Sequence, residues 1–223
     1  MPQLNINNNG SLNLTAKLLI NDYINSPEYT LEINRLQTNA RLQHYITQEL
    51  NGQAKEISPI LTRLDTVNLS GQVRFSKESQ SATLNLNNRL AGIRIYSSAR
   101  NWNQFKANIT SPKIDLAKLL SDNGRHTLNH TSLDISASGV LKDKNGKPHI
   151  NIHTILPLLC IQEREYRNLD IKTTLAGNTI SVDAEGKDNE GEIRSHLTLT
   201  NGHRRHLQGT LQIENFRTER LGL

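Results

Sequence analysis

Apolar and polar residues take turns along most of this chain. Leu12, Leu14, Ala16, Leu18 and Ile20 occupy every second position, and Tyr29, Leu31 and Ile33 repeat the rule. It returns in Val67, Leu69, Val73 and Phe75, in Ala82, Leu84 and Leu86, in Ala91, Ile93 and Ile95, and in Phe105, Ala107 and Ile109. Further on come Leu133, Ile135, Ala137, Gly139 and Leu141, then Ile150 and Ile152. The last quarter holds Leu169, Ile171, Thr173 and Leu175, then Ile180, Val182 and Ala184, then Ile193, Leu197 and Leu199, and finally Leu207, Leu211 and Ile213. Successive strand side chains point to opposite faces, so each run predicts a strand with one apolar and one polar face. The breaks between runs are turn-forming: Asn7-Asn8-Asn9-Gly10, Ser26-Pro27, Ser79-Gln80, Asn87-Asn88, Asn101, Lys144-Asn145-Gly146 and Asp188-Asn189-Glu190-Gly191. Short runs joined by tight turns read as an antiparallel meander, and Asn-Gly between two of them is a strong hairpin signal.

Two places depart from this period. After Asn39, the residues Ala40, Leu42, Tyr45, Ile46 and Leu50 recur at spacings of three and four, with Asn39 as an N-cap and Asn51-Gly52 as a stop, which predicts a short amphipathic helix. Past Pro112, Ile114 to Leu120 predicts one helical turn ended by Asp122-Asn123-Gly124. Residues Tyr29–Leu42, Phe105–Leu120 and Gly209–Leu223 share an order of strand, polar break and leucine-bearing segment, closing on Leu42, Leu119 and Leu221. That echo divides the chain into a boundary unit over 1–64 and meander units over 65–125 and 126–223. Stacked repeats need capped ends, and here the chain closes on Leu221-Gly222-Leu223. The expectation is a piece of something longer.

Composition narrows the architecture. Hydrophobic residues make up 35% of the 223 residues, below the roughly 45–50% usual for a globular domain with glycine counted in. Aromatic residues are 4%. One sheet with a single apolar face turned inward suits this supply better than two layers over a dense core. The net charge of +5 comes from 26 Lys and Arg against 21 Asp and Glu, and the basic residues are scattered rather than gathered as a nucleic-acid binder would have them. The densest spot, His203-Arg204-Arg205-His206, falls between two predicted strands as a solvated turn. The longest apolar run, Ile155 to Ile161, contains Pro157 and is too short to span a bilayer.

Candidate chemistry is sparse. Glu163 with Glu165, Asp183 with Glu185, and Glu190 with Glu192 are carboxylates two apart, a spacing that shares a strand face as acid and base partners must. All lie on the polar parity or in turns beside Lys or Arg, as a solvated face requires. His149 and His153 share a face, yet four strand residues separate them by about 13 Å, too far for one metal. Cys160 is the single cysteine, in the apolar setting LPLLCIQ, and reads as an inert thiol. Five Asn-x-Ser/Thr triplets, at Asn9, Asn13, Asn68, Asn108 and Asn129, are chance matches in an asparagine-rich chain. No metal, cofactor or catalytic residue is expected, and no enzymatic activity.

From the residues alone, a closed barrel or sandwich core and an open apolar groove both fit. The stretch from Tyr166 resembles a known grammar: Tyr166-Arg167-Asn168-Leu169-Asp170-Ile171, a strand, Ile180 to Asp183, the polar turn at Asp188 to Gly191, a strand ending near Leu199, then LQGTLQIENFRTERLGL. This order is similar to the repeats of TamB-type proteins, within the AsmA-like group of bacterial envelope proteins, closest in phrasing to members from the Bacteroidota. The similarity covers Val67 to Leu223 best. It implies an all-β, elongated, mostly antiparallel sheet curled like a taco round an open greasy groove, with one or two short helices. It also implies a periplasmic place in an inner-membrane-anchored protein, moving phospholipid towards the outer membrane or assisting outer-membrane protein assembly beside a β-barrel partner. The anchor and the partner-docking domain of that pattern are expected outside this chain.

The lining expected from the inward parity is Leu12, Leu14, Leu18, Leu69, Val73, Leu84, Leu86, Ile93, Ile95, Ile109, Leu133, Ile135, Ile150, Ile152, Leu169, Ile171, Leu175, Ile180, Val182, Leu197, Leu199, Leu211 and Ile213. Phospholipid acyl chains are the expected ligand. The alternative is a closed structural or adhesive β-solenoid or sandwich module that carries no lipid. A carbohydrate-active β-helix enzyme is disfavoured by the scarce aromatics.

Overall fold

A computed structural model describes residues 3–8, 11–22, 24–39, 41–42, 63, 66–115, 118, 128–161, 164–187, 191–201 and 205–214. They build thirteen strands: β1 (Gln3–Asn8), β2 (Leu12–Asn21), β3 (Glu28–Thr38), β4 (Val67–Phe75), β5 (Ser79–Asn87), β6 (Gly92–Arg100) and β7 (Gln104–Ile114), then β8 (Leu128–Val140), β9 (His149–Ile161), β10 (Arg164–Ala176), β11 (Thr179–Lys187), β12 (Glu192–Asn201) and β13 (Arg205–Glu214). Each strand pairs antiparallel with the next, giving one thirteen-stranded sheet in sequence order that does not close. The expected all-β, elongated, antiparallel sheet is what forms, and it is not closed. At about 4.8 Å per strand the sheet extends roughly 58 Å across its strands. Twist of about 20–25° per strand pair accumulates over that distance, and an open sheet of this size curls rather than staying flat.

Three strands run further than the alternation predicts. Leu4 and Ile6 place β1 ahead of the first predicted strand, and Asn7 and Asn8 belong to its ladder rather than to the turn, which closes through Ser11 N donating to Asn8 O at 2.7 Å. β7 continues through Pro112 to Ile114, with its register slipping between Ser111 and Ile114. β9 continues through Pro157 to Ile161. Proline has no N–H for the ladder, and opposite Pro157 in an otherwise unbroken register lies Asn168, which takes a left-handed φ of 56°.

The predicted helices lie largely outside the described residues. Arg41, Leu42 and Lys118 are helical. Their starts are capped: Leu42 N donates to Asn39 Oδ1 at 3.1 Å, and Lys118 N donates to Asp115 Oδ1 at 3.1 Å. Partial burial pushes the Asp115 carboxyl up, but the Lys118 ammonium and amide outweigh it and hold that carboxyl below its ordinary value. The 64/65 and 125/126 boundaries fall between β3 and β4 and between β7 and β8, pairs that are hydrogen-bonded in the same sheet.

Among the described residues the cluster of buried apolar side chains lies at one long edge, while Ala16 in β2 and Thr30 in β3 are buried apart from it. Leu90, Ala91 and Ile114 form that cluster, with Val67, Ile93 and Leu133 against them. Asn88 Oδ1 accepts from Leu90 N at 2.8 Å and Ala91 N at 2.7 Å, and Asp115 N donates to Leu90 O at 2.9 Å, tying the β5–β6 turn to the end of β7.

Glycine is required where strands approach most closely. Gly71 has φ of 142°, and a methyl built on it would overlap the Thr83 carbonyl oxygen across the ladder and come within 2.8 Å of Leu84 Cα. A methyl on Gly186 would meet only the end of the Leu169 side chain, which can turn away. Gly71→Ala is therefore expected to destabilise by about 1–3 kcal/mol, with Gly186→Ala costing clearly less, both read as shifts in the urea midpoint. Equal shifts would refute the close approach.

At the β8–β9 turn, Asp143 Oδ1 accepts from Asn145 N at 2.7 Å and Lys147 N at 2.9 Å. These two amides, Lys147 first, hold its carboxyl below its ordinary value. A lowered pKa gives stability present above the unfolded value and lost as pH falls through the folded one. The difference in melting temperature between the native chain and Asp143→Ala should be largest at neutral pH and shrink on acidification through the carboxylate range.

Candidate functional site

The registers join the separate apolar runs into continuous ladders. One crosses every strand: Leu4, Ala16, Ile33, Gly71, Leu84, Ile95, Ile109, Ile135, Thr154, Ile171, Ala184, Ser195 and Leu211, each opposite the next. Two residues along each strand, a second ladder runs from Leu18 and Leu31 through Val73, Ala82, Ser97, Ala107, Ala137, Ile152, Thr173 and Val182 to Leu197 and Gly209. A third begins at Ile20, Tyr29 and Phe75, crosses Ala99, Phe105 and Ile150, and ends at Leu175, Ile180, Leu199 and Leu207. No residue of these three ladders is charged. Cross-strand partners share a face, so the face is apolar from β1 to β13.

A shift in parity at β3 keeps this face continuous. Ala16 faces Ile33 and Thr15 faces Arg35, which leaves Asn34 as an extra residue on β3. Leu36 is thereby returned to the same face as Ile33 and stands opposite Leu14 and Leu69. Without that bulge every residue beyond Ile33 on β3 would point to the wrong side.

All 23 of the residues expected as lining lie on this face, and not one of them is buried; each is half-buried or exposed. Exposure rises towards the β13 end, reaching 43% at Leu197 and 67% at Leu211. A second layer packed over the sheet would have buried the middle of these ladders. The face also includes Leu4, Ile6, Leu31, Ile33, Leu36, Phe75 and Phe105, which the expected lining omitted. Leu31, Ile33, Phe75 and Phe105 belong to the alternating runs, Leu4 and Ile6 alternate on β1, and for Leu36 the signal was a break in the alternation. The surface is not uniform: Ala82, Ser97, Ala107 and Ala137 form a run of small side chains across β5 to β8, beside the larger Leu84, Ile95, Ile109 and Ile135.

The opposite face is polar. Lys17, Glu32, Gln72, Thr83, Tyr96, Asn108, Ser136, His153, Lys172, Asp183, His196 and Thr210 form its central ladder. His153 Nε2 lies 2.9 Å from Asp170 Oδ1, and His196 Nδ1 lies 2.6 Å from Asp183 Oδ1. Asp183 and Glu185 do share this face, opposite His196 and Arg194. Glu163 and Glu190 lie outside the described residues, as do the side chains of Glu165 and Cys160. His149 and His153 do not converge; they pair across the ladder with Val140 and Ser136. Among the described residues no group of three metal-ligating side chains comes together, and no helix is long and apolar enough to cross a membrane.

Comparison with known protein families, with curated proteins and with solved structures found no match. The geometry of the sheet is therefore the ground for a functional reading.

Besides the hydroxyls of Ser97, Thr154, Thr173 and Ser195, the apolar face carries an amide. Gln80, between Phe75 and Ala99 in the third ladder, donates from Nε2 to Ser76 O at 3.1 Å, while its buried Oε1 has no partner among the described residues. An unsatisfied buried acceptor costs about 1–3 kcal/mol. Gln80→Met, which keeps the length and removes both polar atoms, is expected to raise stability by about 1 kcal/mol in urea unfolding. A loss of that size would mean the amide is fully satisfied.

Proposed function

We propose that this chain is a segment of a lipid-conducting bridge in the bacterial periplasm, in which the apolar face forms an open groove for phospholipid acyl chains. The observation that carries the reading is the uncharged ladder from Leu4 to Leu211, half-open to solvent along a sheet that does not close. Moving one acyl chain of about sixteen carbons through water exposes hydrocarbon worth on the order of 12 kcal/mol. A continuous apolar face removes most of that barrier. Its lining of Leu, Ile, Val and Ala carries no fixed charge and few hydrogen-bonding groups, so it offers a tail no strong stopping point and favours sliding over tight holding.

The resemblance to TamB-type proteins supports the same role and suggests two settings for it, phospholipid traffic to the outer membrane and help in outer-membrane protein assembly beside a barrel. The role is one of conduction rather than catalysis. The polar face, with its histidine–carboxylate pairs and Lys, Arg and Asn side chains, would stay in water.

A photo-crosslinking amino acid at Leu84 or Ile171, on the central ladder, should yield phospholipid adducts in cells, whereas the same group at Lys172 should not. Adducts at neither inward position, or equal adducts at all three, would reject the groove in favour of a closed structural module.

A further inference from the structure

The sheet ends on β13, and among the described residues the outer edge of that strand has no partner. Natural sheets blunt such an edge by keeping the strand short or by placing Pro, Lys, a bulge or an inward charge on it. β1, at the other edge, is six residues long. β13 runs for ten, holds neither Pro nor Lys, and keeps an unshifted register with β12 from Glu214 opposite Glu192 to Arg205 opposite Asn201. From Leu207 to Ile213 it carries no charge on either face, and Leu207 and Leu211 are 66% and 67% exposed. An unbroken row of unmet N–H and C=O groups on a strand of this length is a template for another strand.

Strand direction narrows which strand that is. Thirteen is odd, so in an antiparallel meander β1 and β13 run the same way. Joining β13 of one chain to β1 of another, with the apolar faces on one side, would need a parallel pairing along a six-residue strand, the weaker kind per residue. A two-fold axis normal to the sheet instead sets β13 against β13 antiparallel and keeps both apolar faces on the same side. The faces match only when the axis passes through a residue, because a half-residue offset pairs opposite parities. With the axis through Thr210, the pairs are Thr210 with Thr210, Gly209 with Leu211, Gln208 with Gln212, Leu207 with Ile213, and His206 with Glu214. Apolar meets apolar, hydroxyl meets hydroxyl, amide meets amide, and an imidazole meets a carboxylate at each end. Neighbouring axes do worse: one through Gly209 sets Arg205 against Ile213, and one through Leu211 sets Gln208 against Glu214 and leaves Leu207 beyond the end of the other β13.

We propose that two copies of this chain join through β13, antiparallel about a two-fold axis at Thr210, with residues 206–214 of each paired to the same segment of the other. The pairing adds about eight to ten main-chain hydrogen bonds and covers the open edge. Leu207 and Ile213 meet across the axis, so the apolar face passes from one copy to the next without a break. A second copy is the occupant because the strand is complementary to itself in this one frame. The inference goes beyond the groove reading and does not depend on what the apolar face carries.

Analytical ultracentrifugation of the full chain should show a monomer–dimer equilibrium with a micromolar Kd. Thr210 is exposed on the polar face, so Thr210→Lys and Thr210→Glu leave the apolar face untouched; each sets like charges directly opposite one another and should weaken the dimer about fivefold. An equal mixture of the two variants should recover dimers at least as tight as the native ones. Disulfide trapping reads the register, with Cys160→Ala as background. Thr210→Cys should cross-link on mild oxidation, since both residues meet at the axis within disulfide reach. Gln208→Cys alone should not, because its two copies stand four residues out of register, yet mixed with Gln212→Cys it should. A chain that stays monomeric at every concentration up to its solubility overturns the proposal, its edge then being covered in some other way. A dimer indifferent to the charges at position 210, or disulfides of equal yield in all three trapping experiments, would overturn it as well.

Discussion

Everything in this sheet depends on twelve antiparallel pairings staying in phase. A strand has a side-chain period of two, so one residue of slip in any pairing would carry all later apolar side chains to the opposite face. The phase survives because the slip at β3 is compensated: Asn34 is an extra residue, so Leu36, three positions after Ile33, falls on the apolar side, and Arg35 turns to the polar side opposite Thr15. It survives also at β9 and β10, where Pro157 and Asn168 face each other and the register on either side is unchanged.

Given that phase, the low apolar content has a physical meaning. Each strand supplies one side of apolar residues, enough to make a face and not enough to cover it. Among the described residues the buried apolar cluster of Leu90, Ala91 and Ile114 sits at the edge where β3 and β7 leave the sheet through Asn39 and Asp115, each capping the first turn of a helix. Elsewhere the stability of the sheet comes from its backbone ladders and from cross-strand contacts within the face, such as the stack of Tyr29 on Phe75 with ring centres 5.0 Å apart. A structure of this kind tolerates an uncovered face because neighbouring strands, not a second layer, hold each strand in place.

The two faces divide the chemistry. Polar groups that pair do so on the polar side, as His153 with Asp170 and Lys187 with Glu192. The β4–β5, β6–β7 and β8–β9 turns are tied to one another by main-chain bonds and by the Asn103 side chain.

Much of this was legible from residue order. Alternation set which side chains share a face, because strand geometry allows no other period, and so Leu84, Ile95, Ile109, Ile135 and Ile171 were identifiable as one parity before any pairing was known. The turns at Asn145-Gly146 and the cap at Asn39 were likewise local, since a short side chain bonding its own backbone needs no distant partner. What residue order did not decide was extent and closure. A helical turn was expected past Pro112, yet β7 continues to Ile114, and β9 continues through Pro157; the bonds that carry them come from strands outside the local window. The tie between turns was invisible for the same reason: Glu78, Asn101, Asn103 and Leu141 are far apart in the chain, and only the pairing of successive strands brings their turns together. Residue order is enough to make a one-sided sheet, because face membership depends on parity alone; whether that side is packed or open rests on where the last strand ends up relative to the first, which no local pattern encodes.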